Sequence, residues 1–189
     1  MRVISGTAKG RTLKAVPGKR TRPTTDKVKE AVFSIIGPYF DGGKVLDLFA
    51  GTGGLGIEAL SRGAEQAIFI DMDPVSVSVI RTNLQAAQLQ ERAEIYRNEA
   101  MQAIKQLAKR GLVFDYIFLD PPYRMVNMDE LAIDMLNKGL IAEQATVVIE
   151  HDTEVHYADQ IQSLTCIRRA SYGEITVSIY TNELTEERK

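Results

Sequence analysis

Val45-Leu46-Asp47-Leu48-Phe49-Ala50-Gly51-Thr52-Gly53-Gly54-Leu55-Gly56 is an apolar run that breaks into glycines and then resumes as an apolar stretch. Run, glycines and resumption predict a buried strand, a tight turn and a helix whose first N–H groups face a crevice. Gly51, Gly53 and Gly56 spell G-x-G-x-x-G, and Asp71 lies 20 residues after Gly51, at the end of the next apolar run. Both features match a dinucleotide fingerprint, in which the acid accepts from ribose hydroxyls.

Outward from that turn the pattern repeats. Apolar runs at Lys44–Phe49, Ala67–Ile70, Ala93–Tyr96, Val113–Leu119 and Ala145–Ile149 alternate with helical stretches at Gly54–Arg62, Pro74–Gln88, Glu99–Arg110 and Asp129–Lys138. Regular alternation of this kind predicts an α/β fold, doubly wound around a mostly parallel sheet of seven strands. Leu164–Ala170 and Glu174–Thr181 are separated only by Ser171-Tyr172-Gly173, so they close as an antiparallel pair. Upstream, MRVISG and RTLKAV flank a Lys9-Gly10 turn and predict a small hairpin. A Pro/Gly/Thr-rich loop follows from Pro17 to Thr25, then a helix from Asp26 to Ile36 capped by Thr24 or Thr25. This gives a basic extension over 1–25, one domain over 26–182 and a polar tail over 183–189.

Asp47 separates the ligands that the glycine turn could serve. Four residues before Gly51, its carboxylate would repel the pyrophosphate of NAD and attract the ammonium and sulfonium of S-adenosyl-L-methionine. On that reading Asp47, Phe49, Gly51, Thr52 and Gly53 line the cofactor crevice. Asp71 and Met72 flank the ribose and adenine, and Asn98, Glu99 or Ala100 meets the adenine. Glu99 fits equally well as a first-turn acid favoured by the helix dipole.

A second motif, Asp120-Pro121-Pro122-Tyr123, ends the fourth apolar run. In an open parallel sheet these residues project where ligands gather, beyond the carboxyl ends of the strands. Two prolines fix the backbone and remove two donors, which leaves the Asp120 carboxylate, the Pro121 carbonyl and the Tyr123 ring. Such a pocket suits the exocyclic amino group of a nucleobase stacked on the tyrosine.

The chain of 189 residues carries a formal charge of −2. The total hides a division. Residues 1–30 hold nine basic side chains against two acids, a local charge of +7, and the remaining 159 carry −9. A cationic head of this size points to nucleic acid. Arg2, Lys9, Arg11, Lys14, Lys19, Arg20 and Arg22 are its candidate RNA contacts. No apolar run approaches the roughly 20 residues that span a bilayer, no secretory leader is evident, and Cys166 is the sole cysteine. A reducing cytoplasm and no membrane partner are expected. His151 and His156 lack the company of a Cys/His/Asp cluster at ligand spacing, so no metal is expected.

Taken together, Asp47-x-Phe49-x-Gly51-x-Gly53 and Asp120-Pro121-Pro122-Tyr123 resemble the class I, Rossmann-like S-adenosylmethionine-dependent amino-methyltransferases. Arg11 in KGRTL, the segment Arg22-Pro23-Thr24-Thr25-Asp26-Lys27-Val28-Lys29-Glu30-Ala31-Val32-Phe33, and Ser171-Tyr172-Gly173 narrow the resemblance. They are similar to the bacterial 16S ribosomal RNA guanine-N2 methyltransferases of the RsmD type, over nearly the whole chain. That resemblance implies methyl transfer to a guanine N2 of 16S ribosomal RNA, within an assembled or assembling small subunit, with S-adenosyl-L-homocysteine as product and a monomeric enzyme. The motifs leave other targets open: an adenine or cytosine of DNA, a protein glutamine, an NAD-dependent oxidoreduction, or RNA binding on a degenerate scaffold.

Overall fold

The computed structural model describes residues 1–18, 25–122 and 125–183. Asp26–Ile36 forms α1, with the Thr25 side chain accepting from Val28 N–H at its start and Gly37 stopping it at φ 129°. Alternation then proceeds through β1 (Lys44–Asp47), α2 (Gly54–Ser61), β2 (Gln66–Asp71), α3 (Pro74–Ala87), β3 (Ala93–Arg97), α4 (Ala100–Lys109), β4 (Phe114–Leu119) and α5 (Met128–Asn137). Four strands complete the chain: β5 (Ile141–Asp152), β6 (Gln160–Ile161), β7 (Leu164–Tyr172) and β8 (Ile175–Asn182).

All eight strands belong to one sheet, ordered β3-β2-β1-β4-β5-β8-β7-β6. The first five are parallel, while β8 runs antiparallel to β5 and β7. The strand beyond the expected seven is β6, two residues long and too short to show an alternating pattern. At the last hairpin Tyr172 pairs with Ile175, so the turn lies at Gly173-Glu174, one residue later than expected. After β5, residues 153–159 form a turn and irregular chain.

Side chains alternate across the pleat, and the sheet therefore builds a core on each face. Leu46, Ile68, Ile117 and Ile149 pack with α4 and α5. Val45, Phe69, Phe118 and Val148 pack with α1, α2 and α3. Phe33 of α1 is fully buried, with its ring 5.7 Å from Phe118. Burying such a ring stabilises the layer by roughly 1.5–3 kcal/mol.

The hairpin at the start of the chain exists but is brief. Arg2 and Thr12 form a single antiparallel bridge, supported by Val3 N–H to the Arg11 carbonyl and Leu13 N–H to the Met1 carbonyl, both 2.9 Å. Val3, Ala8 and Leu13 are buried in the core shared with α1 and α2. Extension and domain thus share one hydrophobic cluster. Among the described residues, no helix is long and apolar enough to cross a membrane.

Candidate active site

The chain runs from β1 outward to β2 and β3, then returns to place β4 on the other side of β1. That reversal opens a crevice at the carboxyl ends of β1 and β4. Asp47 is the last residue of β1, paired in register with Phe118, and Asp120 follows β4 directly. Both line one cleft of about 560 Å³, together with Gly51, Thr52, Asp71 and Pro121. Phe49, Met72, Asn98, Glu99, Ala100 and Pro122 also line it.

The turn is built as the glycines require. Gly51 and Gly53 adopt φ 56° and 79°, the left-handed region that side-chain-bearing residues avoid. Gly56 serves a different purpose: a Cβ there would lie 2.4 Å from the Phe69 ring, so only glycine lets α2 approach β2 this closely. Its N–H donates to the Asp47 carboxylate at 3.0 Å. Asp71 closes the turn from the side, accepting from Gly51 N–H and Asp73 N–H, both at 2.9 Å. Turn and Asp71 are therefore one hydrogen-bonded unit.

Asp47 is 2% exposed. Burial pushes its carboxyl up to about 7, against the smaller stabilising effect of the Gly56 N–H, and the neighbouring Asp71 raises it further. At neutral pH the group is poised between its two forms, and a cation in the cleft would draw out the charged one.

Glu99 is the N-cap of α4 and accepts from Met101 N–H and Gln102 N–H at 3.1 and 3.2 Å. It caps the helix from just outside the first turn and also lines the cleft. Asn98 accepts from Glu99 N–H and donates to Gln106, and it faces the cleft beside Ala100.

Tyr123 lies outside the described residues, as do Lys19, Arg20 and Arg22. Arg2, Lys9, Arg11 and Lys14 are exposed along the hairpin. Lys29, which contributes to the +7 head, is instead fully buried and donates to the Arg2 carbonyl at 2.6 Å. It pairs with Glu58 at 3.1 Å, and Arg62 meets the same carboxylate at 2.8 Å. Desolvation holds the Lys29 ammonium below its ordinary pKa, with Glu58 opposing the shift. Glu58 also accepts from Ile4 N–H and Ser5 N–H, fastening the hairpin to α2.

Several cleft residues escape the sequence motifs. Met1 and Val16 line the cleft from the hairpin segment, and Glu150, His151 and Asp152 line it from the end of β5. His151 is buried, with Nδ1 2.9 Å from the Asp152 carbonyl and Nε2 2.8 Å from the Ser178 hydroxyl. The carbonyl can only accept, so Nδ1 carries the hydrogen and Nε2 accepts from Ser178. Burial lowers the His151 pKa and keeps the ring neutral. The one available signal was Glu150-His151-Asp152 itself, three polar residues ending a strand of apolar ones.

The family described as conserved hypothetical protein 95 matches residues 1–181. Ribosomal RNA small subunit methyltransferase D of Haemophilus influenzae is 32% identical over 184 residues, spanning 96% of this chain and 94% of that protein. The chain belongs to this family. YlbH of Bacillus subtilis is a nearer member, 50% identical over 180 residues, covering 95% of this chain and 98% of that protein. The solved structure of yhhF from Escherichia coli superposes with a TM-score of 0.82 at 32% identity, covering 97% of this chain and 98% of the other. Family likeness thus spans the hairpin, both motifs and the terminal strand pair, with no large insertion in either direction.

Proposed function

We propose that the protein transfers a methyl group from S-adenosyl-L-methionine to the exocyclic N2 of a guanine in 16S ribosomal RNA. The observation that carries this reading is the charge of the cleft. Among its described lining residues are seven carboxylates, Asp47, Asp71, Asp73, Glu99, Asp120, Glu150 and Asp152, against a single lysine. A pyrophosphate would be repelled there, whereas a cofactor with an ammonium and no phosphate fits. The NAD alternative loses its support on the same ground. Relatives named ribosomal RNA small subunit methyltransferase D support an RNA target over DNA or protein.

When bound, S-adenosyl-L-methionine supplies an electrophilic methyl group on its sulfonium. Asp47 would hold the ammonium end, Asp71 the ribose, and the Asn98–Ala100 corner the adenine. After β4 the Asp120 carboxylate and the Pro121 carbonyl would accept the two N–H bonds of guanine N2. That nitrogen is a poor nucleophile because its lone pair is delocalised into the ring. Holding both hydrogens turns the lone pair toward the methyl group and stabilises the positive charge that grows as the N–C bond forms. Asp120 then accepts the departing proton, directly or through water. Tyr123 would stack on the extruded base, and the exposed Arg2, Lys9, Arg11 and Lys14 would hold RNA phosphates.

Deletion of the gene should remove one N2-methylguanosine from small-subunit RNA, measured by mass spectrometry of digested 16S RNA. Retention of every N2-methylguanosine would overturn the substrate assignment.

A further inference from the structure

Asn83 stands in α3 among inward-facing Val77, Ile80 and Leu84, and it is fully buried. An amide in such a place must spend its two hydrogens and its oxygen on protein partners. Its Oδ1 accepts from Lys14 N–H at 2.7 Å. Its Nδ2 donates to the Lys14 carbonyl at 3.1 Å and to the Thr52 carbonyl at 2.9 Å. One side chain therefore clasps the basic hairpin arm, 69 residues away in sequence, and the cofactor turn, 31 residues away. Contact between the same two segments continues at Met1, whose sulfur accepts from the Thr52 hydroxyl at 3.9 Å and lies against Gly54.

We infer that Asn83 is a positioning residue that locks the basic arm to the cofactor turn, so that cofactor in the cleft and RNA on the arm strengthen each other's binding. The inference rests on the reading that the cleft takes S-adenosyl-L-methionine and the arm takes RNA. Both of the Nδ2 hydrogens are committed, one to each segment, so a turn free to shift loosens the arm through the same amide. Cofactor that orders Thr52 therefore also orders Lys14 and, through the hairpin bonds, its neighbours. RNA binding to an arm already ordered loses less conformational freedom, and the coupling is reciprocal.

The test measures the affinity of the full-length protein for a 16S ribosomal RNA transcript, with and without saturating S-adenosyl-L-homocysteine. In the natural protein the cofactor product should tighten RNA binding by roughly 5- to 50-fold. Asn83→Asp keeps the size and the acceptor for Lys14 N–H but removes both donated bonds. It should still bind each ligand alone, with the tightening reduced to less than about twofold. Unchanged tightening in Asn83→Asp, or none in the natural protein when both ligands bind, overturns the inference and leaves the functional reading standing. Failure of the natural protein to bind RNA or S-adenosyl-L-homocysteine at all overturns the reading and the inference with it. Should Asn83→Asp not fold, hydrogen exchange at Lys14 N–H in the natural protein decides. The inference requires exchange to slow in step with S-adenosyl-L-homocysteine occupancy, and constant exchange contradicts it.

Discussion

The two ends of the cleft are held in place by different means. At the ends of β1 and β2 the glycine-turn side is positioned chiefly by backbone N–H groups that donate to two carboxylates: Gly56 N–H to Asp47, and Gly51 N–H and Asp73 N–H to Asp71. The hairpin side is positioned by buried side chains reaching across the molecule, Glu58 to Ile4 and Ser5, Lys29 to Arg2, and Asn83 to Lys14. Backbone-built geometry survives most substitutions of neighbouring side chains. Geometry hung on three buried polar residues does not, because each removal leaves partners stranded in the core.

Substitutions can break that contrast at either end. The largest effect belongs to Asp120→Ala, which should lower single-turnover methyl transfer by about 10³-fold or more while S-adenosyl-L-homocysteine affinity, by calorimetry, stays within about threefold. Equal losses in both would make Asp120 a support for the cleft instead of a partner of the target base. Glu58→Ala comes next. It strands Lys29 and Arg62 without their shared carboxylate, and chemical denaturation should show a loss of about 3–5 kcal/mol. The hairpin amides of Ile4 and Ser5 should become the fastest-exchanging of the arm in the folded variant.

On the cofactor side the expected effects are smaller and depend on pH. Burial pushes the Asp47 carboxyl up to about 7, and only its charged form attracts an ammonium. Affinity for S-adenosyl-L-homocysteine should therefore fall as pH drops below 7, approaching tenfold per unit, and Asp47→Asn should abolish the slope. An identical slope in Asp47→Asn would place the titrating group elsewhere. The smallest effect concerns His151, whose pKa is depressed by burial. The unfolded chain binds a proton more readily than the folded one, so stability should decline as pH falls from about 6.5 toward the folded pKa, and His151→Asn should flatten that decline.

The same division explains what could be read from the chain. Glycines followed by an acid, and Asp-Pro-Pro ending an apolar run, announce themselves because their geometry is local, and α1 begins and ends where its cap and glycine place it. β6 could not be read, since two residues carry no period. Nor could the anchoring role of Glu58, a carboxylate in a helix buried on every side, because the hairpin amides it holds lie more than fifty residues away. The count of +7 at the head misled in one respect. Lys29 looks like one more cation for RNA, yet it is spent inside the core on Glu58 and the Arg2 carbonyl.

The most direct test of the central claim uses purified protein, methyl-labelled S-adenosyl-L-methionine and small ribosomal subunits from cells lacking the gene. Digestion of the RNA to nucleosides and mass spectrometry should find the label in N2-methylguanosine. Label in an adenosine or cytidine, or none in RNA at all, would contradict the account.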